Sequence, residues 1–215
     1  MIHLAFAGTL RKGELLALTW QDVDWGNNSI QISTTLKRVS REALQALGCR
    51  DILYKFPPSA QPKKTVLVLK RPKTMSSHRK IFLPETVMSL LREYYNLQGK
   101  QNPLSLTTYP NLIFQYKDGR PLQETTLSKY FKSALQRAGL PQVDFHSLRH
   151  SSITYKLILS SGDIEAVQGD SGHAQAEMVT ELYAHILDGA RKRNAQKFET
   201  AFYCNLSTEG QCAQQ

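Results

Sequence analysis

Cysteine is scarce and poorly spaced for chemistry: Cys49, Cys204 and Cys212 are odd in number and share no metal-ligand spacing, so neither a disulfide framework nor a thiolate zinc site is encoded. Free thiols are expected. No uninterrupted apolar run approaches the roughly 20 residues that cross a bilayer, and the opening Met1-Ile2-His3-Leu4 lacks the basic n-region of a secretory signal. A cytosolic protein is expected, with no membrane partner. Acidic residues are also in deficit, 18 Asp+Glu against 27 Lys+Arg, and the resulting formal charge of +9 favours a polyanion such as nucleic acid or an anionic membrane surface, between which charge alone does not choose. Internal repeats and low-complexity blocks are missing, and 215 residues suit one well-cored domain, hence one active site.

What is present reads as helices around a small sheet. Ile2 to Ala7 is apolar and helix-like without a preceding cap, as if the chain begins inside a helix. In the next segment Thr9 is the expected N-cap, and Leu15, Leu16 and Leu18 supply a buried stripe. Ile30-Gln31-Ile32 alternates as a strand, whereas 37–64 reads as an irregular insertion with a short helix near Arg41 to Leu47 stopped by Gly48. Val66 to Leu69 and Lys80 to Leu83 are strand-like runs on either side of a polar segment, which suggests an antiparallel hairpin with its tip near Lys73. Helical spacing runs from Pro84 to Leu97, with Gly99 as its stop, and Asn111 to Tyr116 is extended. Helices are then expected over 124–138, 146–159, after Asp163, up to Tyr183 and through Phe202, followed by a polar tail. The fold class is α+β, mostly helical, with a small antiparallel β-sheet on one side.

Chemistry concentrates in a few places. His146 and Arg149 stand three apart, so on a helix they share a face and can address one anion. Alone, H-x-x-R is usually an ordinary polar helix face. Zinc at His146 and His150 is disfavoured by the intervening Arg149 and the lack of an H-E-x-x-H glutamate. Further on, His173 follows the glycine-rich Gln168-Gly169-Asp170-Ser171-Gly172, and Tyr183 lies ten residues beyond it. Upstream are Arg11, in Leu10-Arg11-Lys12-Gly13-Glu14, and Lys73, in Lys73-Thr74-Met75-Ser76-Ser77-His78-Arg79. Gly13-Glu14 is expected to provide a tight turn and a buried partner for Arg11.

This set resembles the tyrosine recombinases, and especially the integrases of conjugative transposons and temperate phages. The likeness spans about residues 5 to 200 and carries six functional positions in order. It implies a catalytic-domain fold over 1–200 with a carboxy-terminal tail at 201–215, and amino-terminal core-binding and arm-binding domains that this sequence lacks. By the same resemblance Arg11 and Arg149 are the two arginines, Lys73 the hairpin lysine, His146 and His173 the histidine positions, and Tyr183 the nucleophile. Gly-Asp-Ser-Gly before His173 departs from the Leu-Leu-Gly or Leu-Gly of many relatives.

The chemistry so implied is coherent. A phenol with pKa near 10 is only about one part in a thousand phenoxide at pH 7, a cost of roughly 4 kcal/mol unless its proton leaves during attack. His146 is the preferred acceptor and His173 a phosphate partner, with the reverse division open. Arg11 and Arg149 would hold the non-bridging oxygens, and Lys73 would protonate the leaving 5′ oxygen, so no metal or other cofactor is called for. From Lys63 to Lys80 seven basic and no acidic residues occur, and Lys63, Lys64, Lys70, Arg71, Arg79 and Lys80 are expected to track phosphates. Partners implied are double-stranded DNA and further recombinase protomers, a tetramer on DNA and a monomer when free, in the bacterial cytosol at the nucleoid. Ile186, Leu187, Ala190, Asn194, Phe198 and Phe202, at helical spacing, pack either on their own domain or on a neighbour. Two rivals stand beside recombination: a type IB topoisomerase-like relaxation of DNA, and a non-catalytic DNA-binding remnant.

Overall fold

A computed structural model describes residues 1–46, 48, 50–57, 64–72, 77–101, 110–172, 189 and 192–203. The chain opens with two short helices, α1 (Ile2–Ala7) and α2 (Lys12–Ala17). Leu15, Leu16 and Ala17 of α2 are wholly buried, so the expected apolar stripe is the centre of the main core. Thr9, however, does not cap α2. Arg11 is its N-cap, and Thr9 sits two residues earlier with φ of 53° and no exposure, its hydroxyl bonded to Ser152 Oγ at 2.9 Å. A β-branched residue in the left-handed region is strained, and that buried bond helps hold it there.

The strands form two sheets of three. In the first, β1 (Val23–Asp24), β2 (Ser29–Ile32) and β6 (Arg79–Phe82) are antiparallel in the order β1-β2-β6. In the second, β3 (Thr35–Ser40), β5 (Thr65–Lys70) and β4 (Ile52–Lys55) run in the order β3-β5-β4. The hairpin expected between Val66 to Leu69 and Lys80 to Leu83 is therefore absent. β5 pairs with β3 and β4, while β6 pairs with β2, so the two runs belong to different sheets. Nor is 37–64 an irregular insertion. Its described part supplies β3, β4 and the helix α3 (Arg41–Ala46) between them, and these flank β5 on both sides.

Strand alternation sets which side chains turn inward. In β6, Arg79 and Ile81 are buried while Lys80 and Phe82 are exposed, the period of two expected of a half-buried strand. Ile30 of β2 faces Ile81 in the ladder, and both are fully buried. The same register sets Arg79 opposite Ile32, on the core side.

Four longer helices complete the described fold: α4 (Glu85–Gln101), α5 (Glu124–Arg137), α6 (Ser147–Leu159) and α7 (Ile164–Ser171). α4 continues through Gly99 rather than stopping there. Gln98 just before it accepts from Trp20 Nε1 at 2.7 Å and donates to Ile113 O at 3.4 Å, and this tertiary anchor outweighs the roughly 1 kcal/mol helix penalty of an exposed glycine. Residues 111–116, expected to be extended, form no continuous strand: Leu112 and Gln115 make isolated bridges to Thr19 and Pro121 with a bend between them, and the Ile113 N–H donates to Leu18 O at 2.8 Å. Gly139, with φ of 66°, follows α5 where the sequence places a stop. Asp163 caps α7 through Ala166 N at 2.9 Å, and a small second core of Ile153, Leu157 and Val167 joins α7 to α6. Near the end, 192–198 is helical and Glu199–Tyr203 forms a π turn; the expected helix leading to Tyr183 lies outside the described residues.

Gly13 is not a turn residue but lies within α2, where a Cβ would come within 2.5 Å of Thr35 Oγ1 and 2.9 Å of Leu36 O on β3. The missing side chain lets α2 lie directly on the second sheet. Gly13→Ala gains helix propensity but forces backbone apart, and overpacking of this kind costs about 1 to 3 kcal/mol. A lower thermal unfolding midpoint is expected; an unchanged or raised one would show that α2 and β3 are not locked together.

Candidate active site

Glu14 organises the site. It is 4% exposed, and its carboxylate takes Arg11 Nη1 at 2.7 Å on one oxygen and Arg79 Nη2 at 2.8 Å on the other. Arg79 Nη1 adds a second bond to the first oxygen at 3.2 Å, and the backbone N–H of Arg11 donates to the second at 3.0 Å. That last bond ties the third residue of α2 back to its N-cap, although Arg11, which has no acceptor, cannot return it, so one carboxylate both begins the helix and holds two guanidinium groups. Burial pushes the Glu14 pKa up, but the hydrogen bonds and charges of Arg79 and Arg11 outweigh it and keep the carboxyl below its ordinary value.

The second anchor is the end of α7. Its last carbonyls have no acceptor role inside the helix, and three arginines take them in succession. Arg79 Nε donates to Asp170 O at 2.8 Å, Arg149 Nη2 to Ser171 O at 2.7 Å, and Arg11 Nη2 to Gly172 O at 3.1 Å. Gly172 closes the helix in the left-handed conformation, φ 64°, with its N–H on Gln168 O, so the glycine-rich stretch read as a turn is the last turn of α7 and its cap. Lys156 on α6 also pairs with Asp170. Positive groups gather where the helix dipole is negative.

Arg149 is 2% exposed and also donates through Nη1 to Thr9 O, the carbonyl of the strained residue before α2. Arg11 and Arg149, 138 positions apart in the chain, thus hold carbonyls of adjacent residues. His146 joins them as the N-cap of α6. Its pKa is lowered, first by desolvation and then by electrostatic interaction with His150, Arg149, Lys12 and Arg11, so the ring is neutral at pH 7 and offers a lone pair. The His150 ring stands edge-on to it at 4.8 Å between centroids. Lys12 is a basic neighbour of the site that sequence reading passed over.

The remaining expected residues divide. Lys73, His173, Tyr183 and Lys63 lie outside the described residues, although Arg79 and Gly172 stand close to two of them in sequence. Lys64, Arg71 and Lys80 are exposed and Lys70 partly so, with Lys80 paired to Asp24 at 3.3 Å. Arg79 requires correction. Expected on a phosphate-tracking surface, it is 7% exposed, because strand alternation turns it inward with Ile81, and its guanidinium is engaged by Glu14 and Asp170. The period of two was the available signal. Among the described residues no cluster of His, Cys, Asp and Glu is arranged to hold a metal, and no helix is long and apolar enough to cross a membrane.

Residues 60–189 match the model of the phage integrase family. The chain belongs to that family. It is 28% identical over 197 residues to a XerC-like tyrosine recombinase of Caldanaerobacter subterraneus, covering 89% of this chain and 46% of that protein. With the ICEBs1 integrase of Bacillus subtilis it shares 25% identity over 198 residues, 91% of this chain and 47% of the relative. The fold is that of the Tn1549 transposon integrase, solved in complex with circular intermediate DNA, at a TM-score of 0.68 and 22% identity over 92% of this chain and 58% of that one. This integrase-family chain therefore spans about half the length of the relatives it matches, and its α+β fold is the tyrosine recombinase catalytic-domain fold.

The Arg11-Glu14-Arg79 cluster makes stability depend on acid. A carboxyl whose folded pKa lies below its ordinary 4.5 stabilises fully above that value, and the contribution is lost as pH falls through the folded pKa. Glu14→Gln leaves a buried guanidinium without its counter-charge, a loss of about 3 kcal/mol at pH 7. Thermal midpoints of the two proteins measured from pH 7 to pH 3 should converge toward acid. Parallel curves would mean that Glu14 carries no such charge in the fold.

Proposed function

We propose that this chain is the catalytic part, over residues 1–200, of a site-specific DNA recombinase that cuts and rejoins strands through a 3′-phosphotyrosine intermediate during integration or excision of a mobile element. The observation that carries the reading is the convergence of Arg11 and Arg149 on the end of α7, one residue before His173. Two planar donors fixed side by side before substrate arrives suit a phosphodiester, whose two non-bridging oxygens gain negative charge in the pentacoordinate transition state. At the end of α7 their acceptors are carbonyls, which carry no net charge. Arg11 also pairs with the Glu14 carboxylate, a charge that it shares with Arg79.

Tyr183 is the proposed nucleophile. Its oxygen attacks phosphorus, the bond from phosphorus to the 5′ oxygen breaks, and the strand is left on the enzyme as a 3′-phosphotyrosine. The phenolic proton passes to His146, which is neutral for the purpose, and Lys73 supplies the proton the departing 5′ oxygen needs. His173 would hydrogen-bond the phosphate. Attack by a 5′ hydroxyl of a partner strand reverses the chemistry and rejoins DNA without ATP. Lys37 and Lys55, both set opposite Val68 in the second sheet, share a face with Lys70 two residues on, which supports a phosphate-tracking surface near the expected Lys64 and Arg71. Double-stranded DNA and further protomers in a tetramer are the proposed partners, with the work done in the bacterial cytosol.

A duplex carrying the end sequence of the DNA element that encodes the chain, nicked beside the cleavage position, tests this. Wild type should form a covalent protein-DNA adduct, Tyr183→Phe none, and Arg149→Ala should be slower by about 10²- to 10³-fold, the usual effect of removing one transition-state donor. No adduct from wild type favours the non-catalytic remnant; relaxation of supercoiled plasmid with no strand exchange favours the topoisomerase-like reading.

The His146 assignment makes its own prediction. The acid limb of kcat/KM, which reports the free enzyme, should have its midpoint below the ordinary histidine value of 6.5 and vanish in His146→Ala. A limb that persists in the variant would hand the acceptor role to His173.

A further inference from the structure

Arg79 takes no part in the chemistry just described, yet it touches the carboxylate on which Arg11 rests and the helix end that carries its other support. Arg11 is held by the Glu14 carboxylate and by the carbonyl of Gly172. Arg79 grips the same carboxylate with both terminal nitrogens, at 2.8 and 3.2 Å, and grips the same turn through Asp170 O at 2.8 Å. Its Nη1 also reaches Ser77 O at 3.3 Å, on the segment that follows the Lys73 position. A planar fork with five donors can serve three acceptors in fixed directions, whereas an ammonium could satisfy the charge but not the geometry. Being 7% exposed and turned toward the core, the group neutralises charge inside the protein.

We propose that Arg79 is a positioning residue for Arg11: by tying Glu14 of α2 to the end of α7 from strand β6, it fixes the place and angle at which the Arg11 guanidinium meets the scissile phosphate. This rests on the recombinase reading above. Removing Arg79 leaves Arg11 paired to a carboxylate that is itself free to shift, and displacing a catalytic group by about 1 Å costs on the order of 10²-fold in rate.

The test measures adduct formation by wild type, Arg79→Met and Arg79→Lys on the nicked duplex, with salt-dependent DNA binding followed in parallel. Arg79→Met should bind DNA with wild-type salt dependence, since an inward-facing guanidinium releases no counterion, and should cleave about 10²-fold more slowly. Arg79→Lys retains a charge beside Glu14, so it folds without a stranded carboxylate. It should still be slow. On a duplex whose scissile phosphate carries a methylphosphonate, one non-bridging charge is gone and Arg11 has less to stabilise, so the gap between wild type and variant should narrow to about tenfold or less. A residue needed only for folding would slow both substrates alike. Sulfur in place of the leaving 5′ oxygen, which removes the need for a general acid, should not restore the variant.

Several results would overturn the proposal. Wild-type rates in Arg79→Met, or in Arg79→Lys, would show that the fork is dispensable. A salt slope shallower by about one unit would return Arg79 to the DNA surface. An undiminished gap on methylphosphonate would leave a folding role alone, and rescue by sulfur would move the role to the leaving-group side. Failure of wild type itself to form an adduct would instead sink the recombinase reading, so the two can be told apart.

Discussion

Two arginines on one buried carboxylate set the terms for the rest of the molecule. Glu14 cannot be ionised at 4% exposure without counter-charges, and Arg79 cannot be buried in a β-strand without an anion, so each makes the other tolerable. Replacing both with apolar residues of similar volume would serve stability as well or better, which is the usual outcome for buried ion pairs. What an apolar pair could not do is hold a third group. The Glu14 carboxylate has lone pairs left for Arg11, and the Arg79 fork has a donor left for the end of α7. The pair joins α2, β6 and α7, three elements that are far apart in sequence.

Much of this was legible in the order of residues, and the parts that were not have physical reasons. The stripe of Leu15 and Leu16, the helix opening after His146 and the cap at Asp163 follow from local periodicity and capping, which act within a few residues. Glu14 as a buried partner of Arg11 was legible too, although it was read through a tight turn at Gly13, where the structure has the first turn of α2 with Arg11 as its N-cap. Strand partnership was not. β5 and β6 are neighbours in sequence and look like the arms of a hairpin, but pairing is decided by which edges are available, and β5 is held between β3 and β4. Reading 37–64 as an insertion hid those two strands and made the hairpin look necessary. Arg79 was assigned to the surface because it lies in a basic run read as tracking phosphates, although alternation with Ile81 pointed inward.

Thr9 shows how far local rules reach. Threonine before a helix is a good cap candidate, and its neighbours gave no reason to doubt it. Its hydroxyl is instead taken by Ser152 and its carbonyl by Arg149, both on α6, more than 130 positions later in the chain. A tertiary demand for that carbonyl fixes the backbone at φ 53°, and the cap passes to Arg11. The strain thus lies between Arg149, which takes the Thr9 carbonyl, and Arg11, which begins α2 two residues on.

The arrangement also explains why the free protein can keep several guanidinium groups together. Like charges at close range repel, and water would ordinarily separate them. Here one full carboxylate and the negative end of α7, equivalent to roughly half a charge, stand among Arg11, Arg79 and Arg149. The carboxylate bond is the stronger and is made to Arg11 and Arg79; the carbonyl bonds are weaker and are made to all three. An incoming phosphodiester would compete with carbonyls far more easily than with Glu14. Of the contacts that Arg11 makes, the charged one to Glu14 is therefore the more persistent, and the neutral one to Gly172 is the easier for an anion to displace.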